Sequence, residues 1–321
     1  MTLRKVTFFI LILIIGVVSC KKDDDSLDIP VVEIRDRTEQ QLADKDSILK
    51  YLNNHYYNSD EVNSLLPNVG IKDIVINKLL EGETEAPVGS TLLINASNLE
   101  TKTVTYADTE YEYYILRINQ GGGLESPTFA DNVLVNYEGF TLADDVFDSS
   151  VSAVPFDLTE VISAWRRVIP EFNVAESFSE NGDGTISYSN QGTGVMIIPS
   201  GLGYFSNATA GIPSYSPLIF KFELYKMSQN DHDSDGIPSY LEDLNGDGEF
   251  IVNFQDLKVN TDDDSDGDGT PDYFDSDDDG DGILTIYEDI NKDGNPTNDD
   301  SNGNGIPNYL DPNDIISNKN S

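Results

Sequence analysis

The chain is poor in the side chains that carry most protein chemistry. Among 321 residues there are one cysteine, one tryptophan, three methionines and two histidines. A lone cysteine, Cys20, excludes an intramolecular disulfide. The histidines, His55 and His232, lie far in sequence from the aromatic motifs described below, so a Ser-His-Asp site is not available there. No glycine-rich phosphate loop or nucleotide fingerprint occurs. Basic residues are scarce as well: 19 Lys and Arg stand against 58 Asp and Glu, a formal charge of -39. Phosphates would be repelled, which argues against nucleic acid as a partner and leaves divalent cations as the natural counter-charge. The acidity is uneven: from Gln229 to the C-terminus there are 26 acidic residues and three lysines.

What is present begins at the N-terminus. Arg4 and Lys5 precede an apolar run, Phe8 to Val18. It is too short to span a bilayer and has the form of a signal peptide, residues 1–19. It closes in Val17-Val18-Ser19-Cys20, which resembles the lipobox of bacterial lipoproteins; the alternative is an ordinary secretory signal with an incidental cysteine. The resemblance implies lipidation of Cys20, which also uses up the only thiol, and an outer-membrane lipoprotein facing the periplasm or the cell surface. Several fatty chains anchor better than one. Lys21-Lys22-Asp23-Asp24-Asp25 is similar to the charged run that marks surface export in some Gram-negative lineages, and equally to a solvated linker.

Residues 20–100 are expected to be a tether and a helical region. Leu42, Leu49, Leu52 and Tyr56 repeat with helical spacing and predict an amphipathic helix over 39–57. Residues 58–100 give no resolvable pattern. From Tyr106 the signal turns to strands, at 111–118, 131–140, 193–198 and 216–224, with one short helix around 160–169. Strands with a single helix predict an α+β domain over 101–228, a bent antiparallel sheet wrapped on one short helix.

Several motifs recur through that domain in a fixed order. They are Val135-Asn136-Tyr137-Glu138-Gly139, Phe147-Asp148-Ser149-Ser150, Pro155-Phe156, Val161-Ile162 with Trp165, Ile198-Pro199 leading to Gly203-Tyr204, Gly211-Ile212-Pro213 and Leu218-Ile219-Phe220. In this order they resemble the FK506-binding-protein family of peptidyl-prolyl isomerases over residues 128–227. The resemblance implies the family's fold, no cofactor for the isomerase, and proline-containing polypeptides as substrates. It also implies a pocket of Tyr137, Phe147, Asp148, Phe156, Val161, Ile162, Trp165, Tyr204, Ile212 and Phe220. Trp165 would be its floor, and the Ile162 N–H would bond a substrate carbonyl. Taken singly, each ring is better explained as core. An aspartate among them fits a dry core poorly.

The residue inventory agrees with such a reaction. X-Pro rotation needs neither nucleophile nor strong base; its barrier of about 18–20 kcal/mol arises because twisting breaks amide resonance. Three departures from the family pattern stand out. Ala164 precedes Trp165 where glycine is usual, and Phe205 follows Tyr204 where glycine is usual. The connection 176–194 is longer and carries Asn181-Gly182-Asp183-Gly184, which either lengthens a hairpin or covers the rim.

Residues 229–321 carry a repeat. Asp231, Asp233, Asp235, Gly236 and Glu242 fit D-x-D-x-D-G-x5-E, in which alternate oxygens wrap one calcium ion. The frame recurs as Asp264, Asp266, Asp268 with Asp275; Asp277, Asp279, Asp281 with Glu288; Asp289, Asn291, Asp293 with Asp300; and Asp300, Asn302, Asn304 with Asp311. A frame from Asp243 ends at Phe254 and lacks the twelfth-position acid. Pro238-Ser239-Tyr240, Pro271-Asp272-Tyr273 and Pro307-Asn308-Tyr309 occupy equal places. The whole resembles the thrombospondin type 3 repeat, which implies structural Ca2+; the alternative is an acidic disordered tail.

The expectation is therefore a lipid-anchored peptidyl-prolyl isomerase assisting secreted or envelope proteins. Two other readings stay open: a proline-binding chaperone or adaptor without turnover, and a calcium-dependent surface adhesion or spacer protein.

Overall fold

The computed structural model describes residues 34–257 and 262–319; the expected signal peptide, Cys20 and the lysine–aspartate run lie outside them. The unit that holds the rest begins at Arg35. Helix α1 spans Arg37–Asn54 and starts on Asp36, whose carboxylate accepts the Glu39 N–H at 3.0 Å. It stops three residues before the expected end, because His55–Tyr57 form strand β1. The inward face also differs from the expectation. Leu42 is 63% exposed, whereas Gln40, Asp44, Ile48, Tyr51 and Leu52 are buried. Polar residues sit inside there because they are paired: Gln40 donates to Asp44 at 2.6 Å, and Asp44 accepts from Ser200.

The unassigned stretch 58–100 folds as helix α2, Ser59–Leu65, and strands β2, Ile76–Lys78, and β3, Thr91–Leu92. β2 and β3 flank β1 in a small antiparallel sheet. The main sheet begins at β4, Leu99–Tyr106, and returns as β5, Thr109–Asn119. Ala107 and Asp108 both have positive φ, 47° and 58°, as a two-residue hairpin turn requires.

β6 is Asn132–Thr141, β7 Val146–Ser149 and β8 Val154–Asp157. Helix α3 follows over Ser163–Val168, shorter than the expected 160–169. Then come β9, Ser177–Glu180; β10, Ile186–Ser189; β11, Gly192–Ile198; and β12, Leu218–Ser228. The order is β4-β5-β11-β12-β6-β7, with β8 also paired to β6, all antiparallel. This is the α+β architecture expected from the strand pattern.

Strand alternation sends side chains to two cores. Phe220, Phe222 and Leu224 of β12 face α3, packing with Trp165, Val168 and Phe172. Ile219 faces the other way and joins Val195, Ile197 and Phe140 against Ile48, Leu52, Val62 and Leu93 of the N-terminal region. The N-terminal region is thus a cover for the outer face of the sheet. Burying one such aliphatic or aromatic side chain contributes about 1.5–3 kcal/mol.

The long connection 176–194 resolves to the β9–β10 hairpin. Tyr188 stacks on Tyr225 at 4.3 Å. Tyr225 lies five residues beyond Phe220 on β12, roughly 16 Å along the strand. The insertion therefore lengthens a hairpin and contributes no lining residue to the aromatic pocket.

Candidate functional site

β6 presents Tyr137, β7 presents Phe147 and Asp148, β8 presents Phe156, and β12 presents Phe220. α3 rises between them and supplies Trp165. Its six residues start where Val161-Ile162 is still extended, so both aliphatic side chains reach the rim. Together with Glu160 and Tyr204 these residues line one cavity of about 270 Å³. The rings meet edge to face: Trp165 lies 5.7 Å from Tyr137, 5.2 Å from Phe156 and 5.4 Å from Phe220. Phe147 meets Phe220 edge-on at 5.6 Å. Gly139 makes this approach possible, since a Cβ there would lie 2.7 Å from the Phe147 ring and 2.8 Å from Phe220.

One polar pair stands at the rim. The Tyr137 hydroxyl donates to the Asp148 carboxylate at 2.5 Å. Burial, and then the Asp148 charge, push the Tyr137 phenol above its ordinary value, so it stays a donor. Trp165 is buried and forms the floor. Tyr204 is 37% exposed, which suits a lip.

Nine of the ten pocket residues expected from the motifs line this cavity. Ile212 does not: it is 3% exposed and packs into the core cluster behind the wall. Glu160 lines the rim and was missed, because a charged residue in a turn between β8 and α3 carries no apolar signal.

The acidic region repeats one hydrogen-bonded turn. In all six frames the sixth-position glycine donates its N–H to the first aspartate: Gly236 to Asp231, Gly248 to Asp243, Gly269 to Asp264, Gly282 to Asp277, Gly294 to Asp289 and Gly305 to Asp300. Each of these glycines has positive φ, between 76° and 102°. The prolines of the second rhythm each precede a single 3₁₀ turn, at 239–241, 272–274 and 308–310.

Three groups of carboxylates converge tightly enough to hold a cation among the described residues. They are Asp264, Asp266 and Asp268; Asp277, Asp279 and Asp281; and Asp233, Asp235, Glu242 and Asp278. The last group differs from the spacing-based expectation. Asp278 comes from a later loop and stood outside the expected ligands, whereas Asp231 of the first frame spends its oxygens on the N–H groups of Ser234 and Gly236.

Asp275 accepts from the Asp277 N–H and lies outside these groups. Glu288 is buried beside Asp277, Asp279 and Asp281. In the last frame Asn302 and Asn304 turn their amides onto Asp311, each at 2.8 Å. Asp289, Asn291, Asp293 and Asp300 form ordinary turn bonds.

The donor sets suit a cation. Both oxygens of Asp278, Glu242 and Glu288 are buried without a hydrogen-bond donor, and so is one oxygen each of Asp233, Asp235, Asp279 and Asp281. Such orphaned acceptors are costly unless an ion or protons meet them. Burial, and next the neighbouring carboxylates, push Asp278 to about 11, Glu242 to about 10 and Asp233 to about 8. All-oxygen, all-anionic cages fit a hard divalent ion such as Ca2+.

Residues 123–225 match the model of the family described as FKBP-type peptidyl-prolyl cis-trans isomerase. These residues form an FKBP-type domain. Residues 232–294 match a second model, described as BamM C-terminal. The chain is 32% identical over 92 residues to the peptidyl-prolyl cis-trans isomerase Mip of Coxiella burnetii (strain RSA 493 / Nine Mile phase I); this is 28% of the chain and 39% of that relative. The chain thus spans about two-fifths of its relative's length. Among solved structures, it is similar to a peptidyl-prolyl cis-trans isomerase from Pseudomonas syringae pv. tomato str. DC3000, with 23% identity, 40% of this chain and 81% of that one covered, and a TM-score of 0.32. It is also similar to FkpA from Escherichia coli, with 25% identity, 40% and 53% covered, and a TM-score of 0.31.

The acidic loops dock on the FKBP-type domain at the helix that carries the pocket floor. Glu249, from the frame that lacks a twelfth-position acid, pairs with Arg166 at 2.8 Å and Arg167 at 2.5 Å, one residue beyond Trp165 and the next. Ser163 also donates to it at 3.3 Å. His232, distant in sequence, packs against Asp157 at 3.0 Å, next to Phe156, yet does not line the cavity.

Proposed function

We propose that the chain is a peptidyl-prolyl cis-trans isomerase acting on exposed X-Pro bonds of secreted or envelope proteins. The observation that carries this is the cavity of about 270 Å³ walled by the rings of Tyr137, Phe147, Phe156, Trp165 and Phe220, inside the segment that matches the isomerase family. The prolyl ring would fill the cavity against Trp165. The Ile162 N–H donates to no backbone carbonyl among the described residues and would hold the flanking carbonyl. A twisted amide has a less polarised carbonyl, so a dry cavity penalises it less than the planar ground state. Preference for the twisted form is catalysis without a covalent step, tenfold in rate for every ~1.4 kcal/mol.

A protease-coupled or exchange-NMR assay with a proline tetrapeptide tests this on the full chain. Turnover is expected, and Trp165→Leu and Asp148→Ala should each lower kcat/KM by at least tenfold. Binding without turnover in the wild-type chain would favour the adaptor reading instead.

We further propose that the acidic loops bind calcium as a structural ion, held by Asp233, Asp235, Glu242 and Asp278, by Asp264, Asp266 and Asp268, and by Asp277, Asp279, Asp281 and Glu288. The orphaned buried carboxylate oxygens support this. Calcium titration by calorimetry, against a chelated control, tests it; absence of binding heat in the low-millimolar range would refute it. For Cys20 we propose lipidation at an outer membrane, tested by fatty-acid labelling of wild type and Cys20→Ala.

A further inference from the structure

The loop between β11 and β12 supplies Tyr204 to the cavity, and its next residue is in an unusual conformation. Phe205 has φ of 47°, in the left-handed region where glycine is at home. Where the family pattern usually has glycine, this chain has a phenylalanine with a glycine-like backbone. A bulky residue persists in such a conformation only where its surroundings over-determine it. Here part of the hold comes from the loop itself, where the Phe205 N–H donates to the Ser200 carbonyl at 2.8 Å and its carbonyl accepts the Tyr215 N–H at 2.6 Å, and part comes from outside the domain, from the start of α1.

Arg37 lays its guanidinium over the Phe205 ring, 4.2 Å from the centroid. The same guanidinium donates to the Tyr111 hydroxyl at 2.9 Å and to the Gly201 carbonyl at 3.5 Å. Phe205 is 8% exposed and meets Tyr215 edge-on at 5.2 Å. Tyr215, also at positive φ (60°), is covered in turn by the Arg35 guanidinium at 4.3 Å, and its hydroxyl accepts the Arg35 N–H at 3.1 Å. The base of the loop is tied as well: the buried Asp44 accepts both the Ser200 N–H, at 2.8 Å, and the Ser200 hydroxyl, at 2.6 Å. α1 and Arg35 just before it thus grip the loop at Ser200, Gly201, Phe205 and Tyr215, on both sides of Tyr204.

We propose that Arg37, with Arg35, is a positioning residue for the prolyl pocket: it holds Phe205 left-handed and so fixes where the preceding Tyr204 side chain stands at the lip. The proposal rests on the isomerase reading for its consequence in turnover, while its consequence for peptide binding stands apart from turnover. A displacement of a lip residue by even an ångström is enough to weaken a site of this size.

The test uses the full chain and the tetrapeptide Ala-Phe-Pro-Phe. Binding is read from the fluorescence of Trp165, the only tryptophan, and turnover by exchange NMR. Arg37→Ala is expected to weaken binding at least fivefold and to lower kcat/KM about tenfold, mainly through KM. Arg37→Lys keeps the charge but not the flat face, and is expected to lose about threefold; it serves if Arg37→Ala fails to fold. The diagnostic measurement is the double variant. Glycine takes φ of 47° at no steric cost, so with Phe205→Gly in place Arg37→Ala should become silent, within twofold of Phe205→Gly alone. A merely structural role predicts that the two losses multiply, and that outcome overturns the proposal. So does an Arg37→Ala chain that binds and turns over like wild type. A wild-type chain that binds the peptide without turnover overturns the isomerase reading alone, and the binding arm still decides the role of Arg37. A wild-type chain that does neither overturns both.

Discussion

Removing the Glu249 carboxylate is a sharp test of how the acidic loops hold the pocket helix. Its side chain is 11% exposed, and those of Arg166 and Arg167 are 13% and 11%. Both arginine Nε atoms lack an acceptor, so the Glu249 oxygens are the principal counter-charge for two buried guanidiniums. Breaking a buried pair by deleting one partner costs about 3–5 kcal/mol, because the other charge is left desolvated. Two cations share this one anion, so the upper end of that range is expected for Glu249→Ala. At about 2–4 °C per kcal/mol for a body of this size, the unfolding midpoint should fall by roughly 10–20 °C. Glu249→Gln keeps the shape and one acceptor and should lose about half as much. Scanning calorimetry of the full chain measures both, beside a triple variant with methionine at 166, 167 and 249. Replacing the whole ionic group by apolar residues removes the unpaired charges and should restore most of the loss. A shift under about 2 °C for Glu249→Ala, or a triple variant less stable than the single one, would refute the argument that this cluster is desolvated.

Other perturbations reach separate parts of the molecule. Gly139→Ala drives a methyl group into Phe147 and Phe220 and should cost about 1–3 kcal/mol, with a kcat/KM loss near tenfold; calorimetry and the proline-peptide assay check it, and wild-type behaviour in both would sink the close-packed picture of the wall. Asp278→Asn should weaken calcium binding by the first acidic loop about tenfold, read by titration calorimetry; an unchanged isotherm would show that the loop's ion does not use Asp278. In chelator, the sign of the pH dependence is fixed by the raised carboxylates. Glu242, Glu288 and Asp233 titrate at about 10, 9 and 8 in the fold, against about 4 when unfolded, so the fold holds the extra protons between those values. Ion-free stability should be fully present below pH ~4 and fall as pH rises to 8–10, and saturating calcium should abolish that slope; a chelated chain more stable at pH 8 than at pH 5 would contradict it.

The pocket was legible through the family resemblance of its motifs; strand alternation places Tyr137, Phe156 and Phe220 on strands but by itself does not tell a pocket from a core. That Ile212 lies off the cavity lining and that Glu160 was missed have a related reason. At the rim of a cavity, side-chain direction is set by loop geometry, and hydrophobicity stops being a guide to it. Leu42 shows the same limit in α1: its spacing puts it on the apolar stripe, yet the buried face is ruled by the Gln40–Asp44–Ser200 bonds. Asp278 was invisible to a reading that counts ligands within one loop, because a residue 36 positions after Glu242 joins that site only through the packing of loop on loop. Phe205 stands where the family pattern usually has glycine. Its backbone is left-handed, and Arg37 and Tyr215, whose placement no local pattern encodes, pack on the ring.

The two flanks of the FKBP-type domain brace it from opposite sides, and this has a consequence for where the domain ends. The acidic loops hold α3 through Glu249, and the N-terminal region covers the outer face of the sheet. Leu116, Ile118, Phe140, Val195, Ile197 and Ile219 are each at most 8% exposed because of that cover. Uncovering six such side chains would forfeit about 9–18 kcal/mol at about 1.5–3 kcal/mol each. A domain of ordinary stability has only about 5–15 kcal/mol in total. Residues 101–228 expressed alone, which hold every pocket residue, should therefore fail to fold cooperatively, whereas a chain from residue 35 onward should unfold in a sharp transition and isomerise proline peptides. Calorimetry and the peptide assay on the two chains decide it. A soluble 101–228 fragment with a cooperative transition and full turnover would mean that the outer face does not need its cover, and the N-terminal region would have to be explained by something other than stability.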